Sequence, residues 1–120
     1  MPKFEADKLQ MPPRYLAMVT QLLKQHAPDA EVWAYGSRVA GDSYEASDLD
    51  LVVRNPGDLH ESVARVALLK EAFVESDLPI IVQVVDWARI PEDFRREIEA
   101  GYVVLQGASG RGIADTPSTP

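Results

Sequence analysis

The amino-acid sequence predicts an α+β domain, a small mixed β-sheet flanked by helices. Three features predict it. Short apolar runs of strand length fall at 31–35, 48–53, 80–86 and 102–105. Segments after Pro12, Asp58 and Pro91 carry helix-start signals or helical apolar spacing. The two kinds of segment follow one another as helix, strand, loop, strand, helix, strand, helix, strand, an order that layers helices on a sheet.

The first helix starts at Pro12-Pro13, because proline suits the first helical turn. Tyr15, Val19, Leu22, Leu23 and His26 follow at helical spacing, and Ala27-Pro28-Asp29 ends it. Glu31 to Tyr35 is a short strand, broken by Gly36-Ser37, and a loop follows through Ser47. Asp48 to Val53 is the next strand, and Asn55-Pro56-Gly57-Asp58 is a turn. Asp58 then caps a helix, with Glu61 three residues on and an apolar stripe of Leu59, Val63, Val66, Leu69 and Phe73. Ile80 to Asp86 is an aliphatic run suited to a buried strand. Pro91, Glu92 and Asp93 open the last helix, where the dipole favours anions, and Gly101 closes it. Tyr102 to Leu105 is the final strand. Residues 1–12 form an N-terminal extension, 13–106 the folded domain, and 107–120, rich in Gly, Ser, Thr and Pro, a flexible tail.

With 120 residues and 13.3 kDa, the chain has the size of one domain. It contains no cysteine, which excludes disulfides, thiolate catalysis and cysteine-bound metals. Twelve basic against nineteen acidic residues give a formal charge of −7. That balance argues against broad nucleic-acid binding, which needs phosphate neutralisation. No apolar run approaches membrane-spanning length, and the N-terminus lacks a secretory signal's apolar stretch. A cytoplasmic location is expected.

The chemistry is concentrated between Gly36 and Leu51. Asp48 and Asp50 lie two apart on one strand, so both point to one face while Leu49, Leu51 and Val53 point to the core. Adjacent carboxylates on a strand repel unless a cation joins them, and a hard divalent ion with oxygen ligands suits the pair. Gly36-Ser37 directly follows a strand. The glycine admits a ligand to the backbone, and N–H groups with the Ser37 hydroxyl suit a phosphate. A phosphate turn followed by two metal-binding acids describes a site for a metal–nucleoside triphosphate. Three other motifs fail. Gly36 and Gly41 have Walker A spacing, but Asp42 stands where lysine is needed. Arg38 breaks a dinucleotide fingerprint, and Val52 and Val53 break an EF-hand loop.

Asp86, ending its aliphatic strand, is the candidate third acid. If that strand lies beside 48–53, the trio of Asp48, Asp50 and Asp86 could hold two metals about 3.5–4 Å apart. The competing reading makes Asp86 a capping or loop acid before Ala88-Arg89-Ile90-Pro91.

The pattern G-S-x3-G-x5-S-D-x-D with a later strand-borne Asp resembles the DNA polymerase beta-like nucleotidyltransferase superfamily. Over residues 13–105 the chain is most similar to its smallest members, the minimal nucleotidyltransferases. The resemblance implies a nucleotidyltransferase fold and ATP as substrate, with Mg2+, or Mn2+, as the metal. It implies that Gly36 and Ser37 bind the triphosphate and that Asp48 and Asp50 bind both metals. Asp86 would bind the catalytic metal and help deprotonate the acceptor, and Ser47 would position the acidic strand. Arg38 is a further candidate phosphate contact, or equally a salt-bridge partner. Such enzymes often accompany a HEPN-domain toxin and act as antitoxins by moving AMP onto its tyrosine, so that toxin is the expected partner. No separate domain remains for a small acceptor, which also points to another protein, with Tyr44 or Trp87 as candidate contacts. Two alternatives stay open: an antitoxin that only occludes its toxin, and nucleotidylation of a small molecule.

Overall fold

A computed structural model of the chain describes residues 3–4, 9–40, 48–60 and 66–107. The elements are β1 (Lys3–Phe4), α1 (Pro13–His26), β2 (Glu31–Tyr35), α2 (Ser37–Ala40) and β3 (Leu49–Arg54). They continue with α3 (Val66–Glu75), β4 (Val82–Asp86), a 3-10 turn (Trp87–Arg89), α4 (Glu92–Glu99) and β5 (Tyr102–Gln106). The strands form one five-stranded sheet in the order β1-β5-β2-β3-β4. The expected α+β fold, a mixed sheet flanked by helices, is the observed one. β2 runs antiparallel to β3 and β5, whereas β3–β4 and β1–β5 are parallel. Parallel neighbours need a crossover, and α3 supplies the one between β3 and β4.

Both faces of the sheet are covered, which is why the strands read as nearly continuous apolar runs. On one face Val32, Ala34, Leu49, Leu51, Val53, Val84 and Leu105 pack with Val19 and Leu23 of α1 and Leu69 and Phe73 of α3. On the other, Trp33, Val52 and Trp87 pack with Ile98 of α4. Alternation along β3 assigns Leu49, Leu51 and Val53 to the first face and Asp50, Val52 and Arg54 to the second.

Two polar devices fix the layers. Gln106 is buried at the end of β5, and its Nε2 donates to the carbonyls of Ala27 and Ala30, each at 2.8 Å. These bonds tie the end of β5 to the turn between α1 and β2, where the Ala27 carbonyl also accepts the Ala30 N–H at 3.2 Å. Gln106→Leu removes both bonds, although Ala27 keeps the Ala30 N–H as a donor, and a destabilisation of about 1–2 kcal/mol is expected, read from the denaturant midpoint. On the opposite face Arg54 lies 4.0 Å from the Trp33 ring centroid and 4.6 Å from that of Trp87. Its Nη1 pairs with Glu31 Oε1 at 2.7 Å. The flat guanidinium suits this slot, so Arg54→Lys is expected to lower stability by about 1–2 kcal/mol although the charge is kept.

Several details depart from the sequence reading. The N-terminal segment contributes β1, whose two residues are too few to show a pattern. Ser37–Ala40, read as loop, forms one helical turn. β4 starts at Val82 rather than Ile80, and β3 at Leu49 rather than Asp48. Asp58 accepts a hydrogen bond from the His60 N–H at 3.0 Å, but the described helix begins only at Val66. Residues 61–65 and 108–120 lie outside the described residues.

Candidate active site

The site grows from the turn that ends β2. Tyr35, the last residue of β2, is the cross-strand partner of Asp50. The next residue therefore arrives beside the Asp50 side chain. That residue is Gly36, at φ +84° in the left-handed region. Any larger residue here meets two obstacles. The backbone conformation is one that side chains disfavour, and a Cβ would overlap Asp50 Oδ2 and lie 3.3 Å from Asp50 Cγ. Glycine thus lets the turn press against the carboxylate. α2 starts at once with Ser37, and the Val39 N–H bonds the Gly36 carbonyl at 3.0 Å.

Asp48 sits one residue before β3 and Asp50 is its second residue, both half-buried. Burial holds the Asp50 carboxyl above the ordinary carboxylate value, and the charge of Asp48 adds to the effect. Burial, then the neighbouring Asp50, pushes the Tyr35 phenol up to about 12, so it is a neutral hydrogen-bond donor at physiological pH. The Tyr35 ring meets Phe94 of α4 edge-on at 5.7 Å, which fixes the floor beneath the acids.

The expected grouping of Asp86 with this pair is corrected by the strand register. β4 does lie beside β3, but Asp86 aligns with Val53, three rungs from Asp50. Three rungs are about 10 Å, and an odd offset turns the side chain to the opposite face. Asp86 is only 8% exposed, and its Oδ1 accepts from the Ala88 N–H at 3.2 Å, capping the 3-10 turn. The capping role weighed for it is the one observed. Asp86→Ala is expected to lower stability by about 1 kcal/mol, read from the thermal midpoint.

The residue that does face Asp50 across the β3–β4 ladder is Gln83, which is exposed. Sequence reasoning missed it inside an aliphatic run. The available signal was that Gln83 is the one polar residue between Ile80 and Val85.

Arg38, a candidate phosphate contact, is 4% exposed, and its Nη1 donates to the Gln10 carbonyl at 2.5 Å. The Gln10 N–H returns a bond to the Arg38 carbonyl at 2.8 Å, so Arg38 ties α2 to the segment before α1. Ser47 and Tyr44 lie outside the described residues. Trp87, considered as a partner contact, is buried against Trp33 and Arg54. Among the described residues, an exposed apolar residue near the site is Ile81, whose carbonyl accepts the Leu49 N–H at 2.9 Å.

Among the described residues no group of three or more His, Asp or Glu is arranged to hold a metal ion. Two carboxylates still fit a divalent ion that keeps its other positions for phosphate oxygens and water, as Mg2+ commonly does. The repulsion felt by Asp50 is what such an ion would relieve. Among the described residues no helix is long and apolar enough to cross a membrane.

A glycine turn pressed on Asp50, with Asp48 two residues before it, is an arrangement suited to a metal–nucleotide. The family model of the Nucleotidyltransferase domain matches residues 16–105, and the chain belongs to that family. It is also 50% identical over 91 residues to "Probable protein adenylyltransferase MntA" of Haemophilus influenzae, covering 76% of this chain and 78% of that protein. The protein is a nucleotidyltransferase of the minimal kind.

Proposed function

We propose that the protein transfers AMP from ATP to a hydroxyl of another protein, a tyrosine of a HEPN-domain toxin, and so acts as an antitoxin in the cytoplasm. The observation that carries the reading is Gly36 packed on Asp50 with Asp48 beside it. The name of the Haemophilus relative, a protein adenylyltransferase, supports a protein acceptor.

In this reading the N–H groups after Gly36 and the Ser37 hydroxyl bind the triphosphate. Asp48 and Asp50 would hold a divalent metal, which would supply neutralisation of phosphate charge. The acceptor oxygen forms a bond to the α-phosphorus as the bond to the bridging oxygen breaks, and pyrophosphate leaves. The acceptor hydroxyl loses one proton, for which we assign Asp50, the half-buried carboxylate against which the Gly36 turn packs. Tyr35 lines the floor with its ring against Phe94. The exposed Ile81 would meet the incoming protein.

The test is transfer of label from α-labelled ATP, with Mg2+, to a co-purified HEPN-domain protein. Label on a tyrosine of that protein, absent with the Asp48→Asn, Asp50→Asn variant, is expected. Toxin neutralisation that survives in that variant without any label would contradict the reading and favour occlusion alone.

A further inference from the structure

Gln83 is the residue whose position the proposed mechanism leaves unused. It lies directly opposite Asp50 in the parallel β3–β4 pair. Neighbouring strands are about 4.8 Å apart, and paired residues share a face, so Gln83 and Asp50 stand side by side. Asp50 is in turn pressed by Gly36 on its other flank through the β2–β3 pair. Asp50 thus has a close neighbour on each side, the glycine turn that follows β2 on one and the exposed amide of β4 on the other. Asp86 cannot take the second position, because it is three rungs away and committed to the Ala88 N–H.

We propose that Gln83 is the third residue of the site and that its neutral amide limits the loaded site to a single divalent ion. This rests on the nucleotidyl-transfer reading of the site and adds the site's metal capacity to it. Two ions in one site need carboxylates to bridge them and offset their mutual repulsion. Asp48 and Asp50 supply two negative charges, which match one divalent ion. The Gln83 amide can present its carbonyl oxygen to that ion or to a bound water, but it adds no charge. The triphosphate can hold one ion with its own oxygens, but a second ion would share the Asp48 and Asp50 carboxylates with the first and meet only the neutral Gln83 amide where a third carboxylate is needed.

The experiment counts Mn2+ on the full chain loaded with the non-hydrolysable α,β-methylene analogue of ATP. The readout is loss of the free Mn2+ paramagnetic resonance signal, with the analogue alone as blank. The unaltered protein is expected to bind one Mn2+ per analogue-loaded chain, and Gln83→Asp is expected to bind two. Without metal, Gln83→Asp should melt at a lower temperature, because three carboxylates then crowd one face. Mn2+ should raise its midpoint by more than it raises that of the unaltered protein. Gln83→Glu provides the same charge if Gln83→Asp fails to fold, and Gln83→Ala is expected to keep one Mn2+.

Two ions on the unaltered protein, or one on it and on both acidic variants, overturn the inference while leaving the parent reading intact. Absence of analogue-dependent Mn2+ binding, with no change in Asp50→Asn, overturns both.

Discussion

The Asp48→Asn, Asp50→Asn variant is expected to stay folded and to lose nucleotidyl transfer by at least about 10²-fold, the scale on which removing a group that stabilises developing charge acts. The two carboxylates project from the start of β3, and the core residues of that strand, Leu49, Leu51 and Val53, point the other way. Removing the charges therefore leaves the packing untouched. It also removes a repulsion. Asp50 has its carboxyl raised from the ordinary 3.8 by burial first and Asp48 second. A raised folded value means that the folded chain binds this proton more tightly than the unfolded one. Stability then falls as pH rises through the window that starts near the ordinary value, and at neutral pH the ionised Asp50 is a net burden. Asp50→Asn is accordingly expected to melt above the unaltered protein at pH 7 without metal. That advantage should shrink as pH drops below the ordinary carboxylate value. Thermal midpoints at several pH values, paired with transfer rates, check both halves. A variant that is active, or one that is destabilised at pH 7 yet not at low pH, would contradict the assignment.

Gly36→Ala is the single substitution expected to damage fold and site together. The left-handed conformation at φ +84° disfavours any side chain by about 1–2 kcal/mol. The added Cβ also overlaps the Asp50 carboxylate, so the turn, the acid or both must move. A total loss of about 2 kcal/mol or more is expected, together with a fall in transfer of about 10²-fold from displaced reacting groups. The two contributions separate in a double-mutant cycle. In an Asp50→Ala background the overlap is gone, while the Asp50 Cβ, 3.4 Å from the added group, makes ordinary contact. The stability penalty of Gly36→Ala should then fall toward its conformational part alone. Equal penalties in the two backgrounds, by denaturant titration, would show that Gly36 and Asp50 are not coupled.

The parts of the fold legible in the sequence were those whose pattern repeats over several residues. α1 could be bounded because Pro12-Pro13 and Ala27-Pro28 flank a helical stripe, and β2 and β3 because their apolar runs end at Gly36 and Asn55. β1 was not legible, since two residues carry no period and its place is set by pairing with β5. Nor was α2, because four residues show no helical stripe.

In the site, Gly36, Asp48 and Asp50 were legible because local spacing fixes their relation: a turn after one strand and alternate positions on the next. Asp86 and Gln83 depend on the register between two separate strands, which no local pattern encodes. A shift of one residue reverses the face of every side chain, and three residues separate the acid expected beside Asp50 from the amide that stands there. Arg38 shows the same limit. Its burial follows from a segment that returns from the N-terminus to bond it, a contact between residues 28 apart.

Anomalous scattering from Mn2+ in crystals of the protein with the non-hydrolysable ATP analogue tests the central claim most directly. The account predicts a Mn2+ peak coordinated by Asp48 and Asp50, with the triphosphate running along the backbone from Gly36 to Ser37. A peak at Asp86, or a triphosphate bound away from the Gly36 turn, would contradict it.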